Sequence, residues 1–364
     1  MMKRYFKYIL PALFLLGFVA CERDDDEPIK SVKSISRLYV STSDYSGGAS
    51  VNIPNLWVVD PVDSSSFGES ANIQSNISAA MGGKTIHFSP FSEGLLFQAG
   101  MNRPGLMDTA VNVLTVNKNG GVSSKGRLLN RKYDNIRGLY YTVVNSGNLS
   151  EEFLLALNKS DTLSYGSLFA FNRPRNVGSG QTKPRFEMKL DYTPWGLKIE
   201  GNDVYAVKTG DNGGLVVYKD FTRNLIDKKD SILNIKESYV LTITGANNLA
   251  GIAYHKAKDE LYLTDYSGDG SDASGRILIF ENFSTLNTTQ NITPTRIITG
   301  VNTKLKQPMD IAVDTREVGK YIYIADAGAK RVFRFLLTDY GNVAPNGELN
   351  IQNRTPQSLS LDAR

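Results

Sequence analysis

The residue types best suited to catalysis or metal binding are few in this 364-residue chain. It contains two histidines, His87 and His255, and one cysteine, Cys21. A single cysteine cannot form a disulfide framework or a cysteine-based zinc site, because both need several sulfur atoms. The two histidines fall at different positions of different repeats, so we expect each to be a hydrogen-bonded strand residue rather than a metal ligand. The chain also lacks a Gly-X-Ser-X-Gly elbow, a His-Glu-X-X-His motif and a Walker loop.

The segment DYSGDGSD at 265–272 holds three carboxylates in eight residues, Asp265, Asp269 and Asp272. Carboxylate oxygens are the ligands that Ca²⁺ prefers. The spacing is not that of an EF-hand loop, and no glutamate follows at the offset of a bidentate ligand. We therefore predict a solvated turn and no cofactor or metal, with a Ca²⁺ site as the alternative.

The first twenty residues have the pattern of an export signal. Lys3, Arg4 and Lys7 precede an apolar stretch at 9–20 that is too short for a comfortable membrane span. The stretch ends in the sequence Phe-Val-Ala followed by Cys21, which resembles the lipobox of bacterial lipoproteins. This resemblance implies that residues 1–20 are a signal peptide and that Cys21 is lipidated and anchors the chain in a membrane. The alternative is an ordinary signal peptide with an incidental cysteine.

Residues 21–34 are interpreted as the lipidated cysteine and a flexible tether. The acidic run ERDDDEP at 22–28 resembles the export signal of surface lipoproteins of the Bacteroidetes. That resemblance implies an outer-membrane location with the domain facing the cell surface. The alternative is a solvated spacer on a domain that faces the periplasm.

The formal net charge of +4 belongs mostly to the leader, since residues 1–20 carry three positive and no negative charges. A nearly neutral mature domain does not offer the basic face that nucleic-acid binding needs. We therefore expect no nucleic-acid partner.

One unit recurs along the rest of the chain, with first strands predicted to begin near residues 85, 138, 195, 250 and 309. Its clearest copy, 308–335, has three short strand-like runs separated by turns. Alternating runs of this length between Gly, Asp and Asn turns are typical of antiparallel meanders. No stretch after the leader has a sustained helical period.

The two chain ends complete a sixth unit. Residues 37–60 begin in the middle of a unit, and its missing first strand is supplied by 356–362, which parallels 308–314. We therefore predict an all-β fold over 35–364, a six-bladed β-propeller of four-stranded antiparallel blades. The C-terminal strand pairs into the N-terminal blade and closes the ring, which leaves no open edge. An open pair of sandwiches would not explain the leftover first strand.

The motif PMDIAVD followed by YIYIAD and RV at 308–332 resembles the NHL repeat, a six-bladed propeller unit. This resemblance implies the fold but not an activity, because propellers host many unrelated functions.

In such a blade, the start of the first strand and the end of the second lie at one edge, at the mouth of the central channel. Long loops on this face, at 42–55, 99–111 and 265–275, favour it as the binding face. The predicted ligand-binding residues are Trp195, Arg137 and Asp310 from strand entries, and Tyr45, Tyr266 and Lys208 from the loops. The alternatives are that Trp195 plugs the rim and that the two tyrosines pack between blades. We expect Asp44, Asp265 and Asp326 to accept backbone N–H bonds in their own turns.

The resulting functional hypothesis is a monomeric, lipid-anchored extracytoplasmic propeller that binds a glycan, peptide or protein and has no enzymatic activity. The alternative is a metal-dependent hydrolase, since the fold resembles six-bladed lactonases that hold a divalent metal through Glu, Asn and Asp side chains. Among the strand entries, however, Asp310 is the one carboxylate. An adaptor role is a third reading.

Overall fold

The computed structural model of the chain describes residues 34–46, 53–69, 72–91, 94–106, 108–130, 132–178, 181–227, 230–268 and 274–364. The predicted signal peptide, the lipidation of Cys21 and most of the predicted tether lie outside these residues, as do Asp269 and Asp272. Residues 35–364 form one compact unit. Within the described ranges, no helix is long and apolar enough to cross a membrane.

Six sheets surround a central channel, and their strands run in order from the channel outward. Blade 1 contains β25 (Pro356–Ala363), β1 (Ser36–Thr42), β2 (Leu56–Val59) and β3 (Ile73–Asn76). Blade 2 contains β4 (Gly83–Ser89), β5 (Leu95–Gly100), β6 (Ala110–Val116) and β7 (Val122–Leu129). Blade 3 contains β8 (Ile136–Ser146), β9 (Leu149–Asn158), β10 (Gly166–Asn172) and β11 (Phe186–Leu190).

The second half of the ring has the same plan. Blade 4 contains β12 (Pro194–Glu200), β13 (Asp203–Lys208), β14 (Gly214–Tyr218) and β15 (Tyr239–Ile243), and β19 (Gln290–Ile292) adds to β15 in parallel. Blade 5 contains β16 (Ile252–His255), β17 (Glu260–Tyr266), β18 (Gly275–Glu281) and β20 (Arg296–Thr299). Blade 6 contains β21 (Pro308–Val313), β22 (Tyr321–Asp326), β23 (Arg331–Leu336) and β24 (Gly347–Leu349). Short helical turns lie at Phe221–Arg223, Asn224–Asp227, Lys256–Lys258, Phe283–Thr285 and Val301–Thr303.

The ring closes at the two ends of the domain, as predicted. The C-terminal strand β25 pairs antiparallel with β1, from Ser36 opposite Ala363 to Thr42 opposite Pro356. Beyond this ladder, the backbones of Ile35 and Arg364 exchange two hydrogen bonds of 2.7 and 2.9 Å. Each inner strand also contacts the next around the ring. The all-β class, the six four-stranded antiparallel blades and the closing strand are therefore confirmed.

The hydrophobic core is divided into clusters that each lie between two neighbouring blades. The strand β1 shows how one sequence serves two clusters. Leu38 and Val40 pack toward blade 6, whereas Tyr39 between them packs toward blade 2. Because successive side chains of a strand point to opposite faces, a middle strand of a blade must be apolar at nearly every position. This requirement explains the continuous apolar runs of the middle strands.

The inner strands approach one another closely along a seam around the channel. In blades 3 and 4 the seam position is a glycine. A Cβ at Gly138 would lie 2.6 Å from the carbonyl oxygen of Trp195, and one at Gly196 would collide with the carbonyl oxygen of Ala250. Backbones can approach this closely only where a side chain is absent.

In blades 6 and 1 the seam position instead carries a polar side chain that bonds to the next strand. The carboxylate of Asp310 accepts hydrogen bonds from two groups of blade 1, the hydroxyl of Ser358 and the backbone N–H of Leu359. The Ser358 hydroxyl in turn accepts a 3.0 Å bond from the backbone N–H of Ile86 in blade 2. Side-chain hydrogen bonds thus link three consecutive inner strands.

A second set of aspartates fixes the loops that lead into the inner strands. Asp265 accepts bonds from the N–H groups of residues 247 and 248, and Asp326 accepts them from residues 306 and 307. Asp44 accepts a 2.6 Å bond from the N–H of residue 355. The prediction that these carboxylates serve their own turns was wrong in most contacts, since the donors precede the first strand of the same blade. Within the turn itself, Asp326 accepts bonds from the backbone N–H groups of Ala329 and Gly328.

The seam predicts a large effect for a small substitution. Gly196→Ala should destabilise the domain by about 1–3 kcal/mol, because the methyl group forces the backbones of blades 4 and 5 apart. Gly178→Ala is the matched control, since an added Cβ there meets no atom within 4 Å. Urea unfolding followed by circular dichroism measures both free energies. Equal stability of the two variants would contradict the close approach of the backbones at Gly196.

Candidate functional site

Each of four inner strands presents two residues to the channel, and the two are three positions apart. In β4, β8, β12 and β25 the second and fifth residues are partly exposed, while the residues between them are buried. A regular strand would repeat every two residues. The register of all four strands shifts at this point, which indicates a β-bulge that turns the later residue back toward the channel.

The channel encloses a cavity of about 280 Å³ whose two sides differ in charge. Three consecutive blades, 2, 3 and 4, supply basic and aromatic side chains, which together we call the cationic wall: Lys84, His87, Arg137, Tyr140, Trp195 and Lys198. The equivalent positions of blades 5, 6 and 1 form the neutral wall: Ala250, Ala253, Met309, Ala312, Gln357 and Ser360. A ligand in the channel would therefore meet charge on one side and small or uncharged side chains on the other.

The part of the cationic wall nearest the mouth combines two cations with an indole. The guanidinium carbon of Arg137 lies 4.2 Å from the ring centre of Trp195, and Lys84 Nζ lies 6.0 Å from it. Such cation–π contacts hold the guanidinium in place and leave its in-plane N–H donors available. Arg137 Nε is buried and has no hydrogen-bond partner among the described residues.

The two cations also influence each other. Burial, together with the charge of Arg137, lowers the pKa of Lys84 to about 8. Burial likewise lowers the pKa of Arg137. Lys84 donates a hydrogen bond to the amide oxygen of Asn135, and the charges of Asp134 and Asp161 act favourably on it. Within the described ranges, neither cation forms an ion pair with a carboxylate.

The deeper part of the cationic wall consists of His87, Tyr140 and Lys198. The imidazole of His87 packs on Tyr140 with ring centres 4.6 Å apart, and Lys198 Nζ lies 5.4 Å from the same phenol ring. Burial and the charge of Lys198 lower the pKa of His87 to about 3. The imidazole is therefore uncharged at neutral pH, and it offers one donor and one acceptor to a ligand.

The mouth of the channel brings together three of the predicted ligand-binding residues. Arg137, Trp195 and Tyr266 line one depression with residues 209–210 and 248–250. Tyr45 and Lys208 are half-buried and line neither this depression nor the channel cavity in the described part of the chain. Tyr45 belongs to blade 1, two blades away from Tyr266.

Asp310 borders the cavity opposite the cationic wall, but its oxygens serve the seam. Besides the two bonds from blade 1, it accepts a 2.8 Å bond from the N–H of Ile311. Burial raises its pKa to about 6, although these hydrogen bonds oppose the shift. It is the only acidic residue among the described residues that line the cavity.

The structure also bears on the predicted acidic turn and on the histidines. Asp265 is fully buried and pairs with Arg276 at 2.5 Å, so its oxygens already serve the protein. No group of three or more His, Cys, Asp or Glu side chains in the described ranges is arranged to hold a metal ion. His255 is 3% exposed, and neither of its ring nitrogens has a hydrogen-bond partner among the described residues. The expectation of a hydrogen-bonded strand residue was wrong for His255.

Sequence reasoning missed Lys84, Tyr140 and Lys198, and it treated His87 as an isolated strand residue. The signal was present in the alignment of the inner strands with one another. In that alignment, His87 matches Tyr140 and Lys198 at one position, and Lys84 matches Arg137 and Trp195 at another. Two columns that are basic or aromatic in three consecutive repeats indicate a shared surface.

Comparisons with known proteins add no family. No family model matches the chain, and no curated protein matches it. The NHL resemblance therefore stays a prediction. Similar solved structures include the Dos1 propeller, at 13% identity and TM-score 0.41, covering 86% of this chain and 70% of that one.

Two further similar structures are Sqt1 from Saccharomyces cerevisiae and an exo-β-1,3-galactanase from Phanerochaete chrysosporium. Sqt1 has 9% identity and a TM-score of 0.42, with 83% of this chain and 69% of that one covered. The galactanase has 13% identity and a TM-score of 0.43, with 82% and 64% covered. Similarities this low carry no argument about the ligand or activity of this chain.

The raised pKa of Asp310 predicts how one substitution changes the pH dependence of stability. The folded state takes up this proton near pH 6, whereas an unfolded aspartate does so near 3.9. Lowering the pH from 7 to 4 should therefore stabilise the native chain relative to Asp310→Asn, by about 2 kcal/mol.

Urea unfolding at several pH values measures this difference. Asp211→Asn, at an exposed turn, is the control for removing a carboxylate outside the seam. A pH-independent difference between the native chain and Asp310→Asn would show that the seam carboxylate titrates normally.

Proposed function

We propose that the chain is a lipid-anchored extracytoplasmic binding protein, and that its propeller takes a ligand through the mouth lined by Trp195, Arg137 and Tyr266. The observation that carries this proposal is the cluster at that mouth. Arg137 is held against the indole of Trp195, and both residues line the depression at the mouth as well as the channel cavity. A charged group that has no ion-pair partner in the described part of the chain, beside an aromatic ring in a concave site, is typical of ligand recognition.

Binding without catalysis fits the side chains of the cavity better than hydrolysis does. A lactonase-like site needs several oxygen ligands for its metal, and the described lining offers the single carboxylate of Asp310. That carboxylate and the hydroxyl of Ser358 already bond to each other and to neighbouring backbone groups. The cationic wall, in contrast, includes the buried Nε donor of Arg137, which has no hydrogen-bond partner among the described residues.

The anchored location rests on the N-terminal sequence. A basic start, a short apolar stretch and a small residue before Cys21 together support lipidation, and the acidic run at 22–28 supports display on the cell surface. The membrane would then be a partner through the lipid, and the ligand would be a glycan, a peptide or another protein. In this proposal, the tether at 21–34 determines how the mouth is oriented toward the ligand.

The binding proposal predicts an effect of Trp195→Ala. The purified mature chain is screened against glycan and peptide arrays, and each interaction found is measured by calorimetry. Loss of the indole should weaken binding at least about tenfold, because it removes both the apolar contact and the support of Arg137. Phe91→Ala is the matched control, since Phe91 is an exposed aromatic residue that follows the opposite end of an inner strand. Interactions that survive Trp195→Ala unchanged would place the site elsewhere.

The anchor is tested separately with the full chain expressed in a Bacteroidetes host. The native chain should incorporate radiolabelled palmitate and fractionate with the outer membrane. Cys21→Ser should lose both properties, because the hydroxyl does not replace the thiol in lipidation. If Cys21→Ser still fractionates with the membrane and the native chain stays unlabelled, the lipoprotein assignment is wrong.

A further inference from the structure

We infer that the ligand carries a carboxylate on a body the size of a sugar ring, and that Lys84 and Arg137 of the cationic wall hold this carboxylate. The inference rests on the proposed function, which leaves the ligand class open. It assigns the acidic group to the channel side of Trp195 and the ring to the space between the two walls.

The first argument is hydrogen-bonding capacity. Arg137 contacts Trp195 through a cation–π contact, and its Nε is buried without a partner among the described residues. A guanidinium presents its donors in one plane, and that geometry matches the two oxygens of a carboxylate. A buried donor without a partner destabilises the unliganded protein, so a ligand oxygen at this position gains a hydrogen bond that the fold itself does not supply.

The second argument is charge. Lys84 and Arg137 lie beside the same indole, and the charge of Arg137 makes protonation of Lys84 less favourable. Lys198 adds a third cation to the same wall. Across the cavity the sole described carboxylate, Asp310, is bonded into the seam. A bound anion would relieve the repulsion between the cations, so the site is complementary to negative charge.

The third argument is size and lining. The cavity of about 280 Å³ is larger than a single oxyanion requires. Ala250, Ala253 and Ala312 of the neutral wall leave room opposite the cations. The uncharged imidazole of His87 offers a donor and an acceptor of the kind that bind ring hydroxyls. The hydroxyl of Ser360, which accepts a 2.8 Å bond from the backbone N–H of Phe88, adds a donor. A carboxylate borne on a polar ring satisfies all three features.

Calorimetry with the mature chain tests the inference with defined probes. These are the sugar acids D-glucuronate, D-galacturonate and N-acetylneuraminate, the neutral sugars D-glucose and D-galactose, and inorganic sulfate and phosphate. At least one sugar acid should bind, and its matched neutral sugar at least about tenfold more weakly. Arg137→Gln and Lys84→Gln should each weaken the sugar acid about tenfold or more, which is the usual effect of losing a charge-assisted hydrogen bond.

Lys189→Gln is the matched control for charge and fold. Lys189 is exposed on the outer strand of blade 3, the same blade that supplies Arg137. This variant loses the same charge as Arg137→Gln and should bind the sugar acid like the native chain. Melting temperatures of all variants, measured without ligand, distinguish loss of binding from loss of folding. Lys84→Arg should restore binding that Lys84→Gln loses if the positive charge is what matters.

The pH dependence of binding gives an independent readout. Because Lys84 has a pKa of about 8, its positive charge is lost between pH 7 and 9, and sugar-acid binding should weaken up to about tenfold over this range. The other charged groups that act on Lys84 are Arg137, Asp134 and Asp161. His87 on the same strand stays neutral throughout. Lys84→Arg should make the profile flat, and a flat profile for the native chain would count against the assigned role of Lys84.

The outcomes separate the inference from the proposed function. If a neutral sugar binds as well as its acid and only Trp195→Ala weakens its binding, the proposed binding function is supported. The inference that the ligand carries a carboxylate is then wrong. If sulfate or phosphate binds as tightly as the best sugar acid, the ligand is an oxyanion. The inference that it carries a body the size of a sugar ring is then wrong. If no sugar acid binds at millimolar concentration, the inference is overturned. A separate result contradicts the proposed function, namely that the interactions found on the arrays are unchanged in Trp195→Ala.

Discussion

The close approach of six inner strands is the constraint on which the rest of the molecule depends. At Gly138 and Gly196 the backbones of neighbouring inner strands nearly touch, and at Asp310 and Ser358 a side chain bonds to the next strand. Aspartates at the ends of second strands then fix the loops that deliver each inner strand to the seam. The six interblade cores follow from this arrangement, because every blade packs against two neighbours at once.

The seam also determines which residues reach the channel. A strand that bulges beside the seam turns two residues, three positions apart, toward the channel. The part of the cationic wall nearest the mouth and its deeper part occupy these two positions. Placing cations where they are partly dehydrated is unfavourable in itself, as the lowered pKa of Lys84 shows. The fold does not require charge here, since blades 5 and 6 complete the same ring with alanine and methionine at equivalent positions. Charge that the fold does not need, in a concave site, is best explained by a ligand.

Much of the fold could be predicted from the sequence, because a repeat displays one solution several times. The half unit at residue 37 and the leftover strand at 356 were enough to predict how the ring closes. Trp195 and Arg137 could be predicted as mouth residues because they stand at strand entries. The deeper part of the cationic wall could not be predicted from the alternation of apolar and polar residues, because the bulge replaces a period of two residues with a spacing of three. The burial of Asp265 in an ion pair could not be predicted either, because it depends on Arg276 in the adjacent strand.

A site built on strands has different properties from one built on loops. The loops at the mouth vary in length, whereas Lys84, Arg137 and Trp195 project from inner strands whose backbones are held on both sides by neighbouring blades. The stacking of Arg137 on Trp195 fixes the guanidinium before any ligand arrives, so that binding immobilises few additional torsions. A rigid, pre-formed site of this kind favours a small ligand of one shape over an extended and flexible partner. In the proposed function, the strands of the ring, more than its loops, therefore determine the ligand.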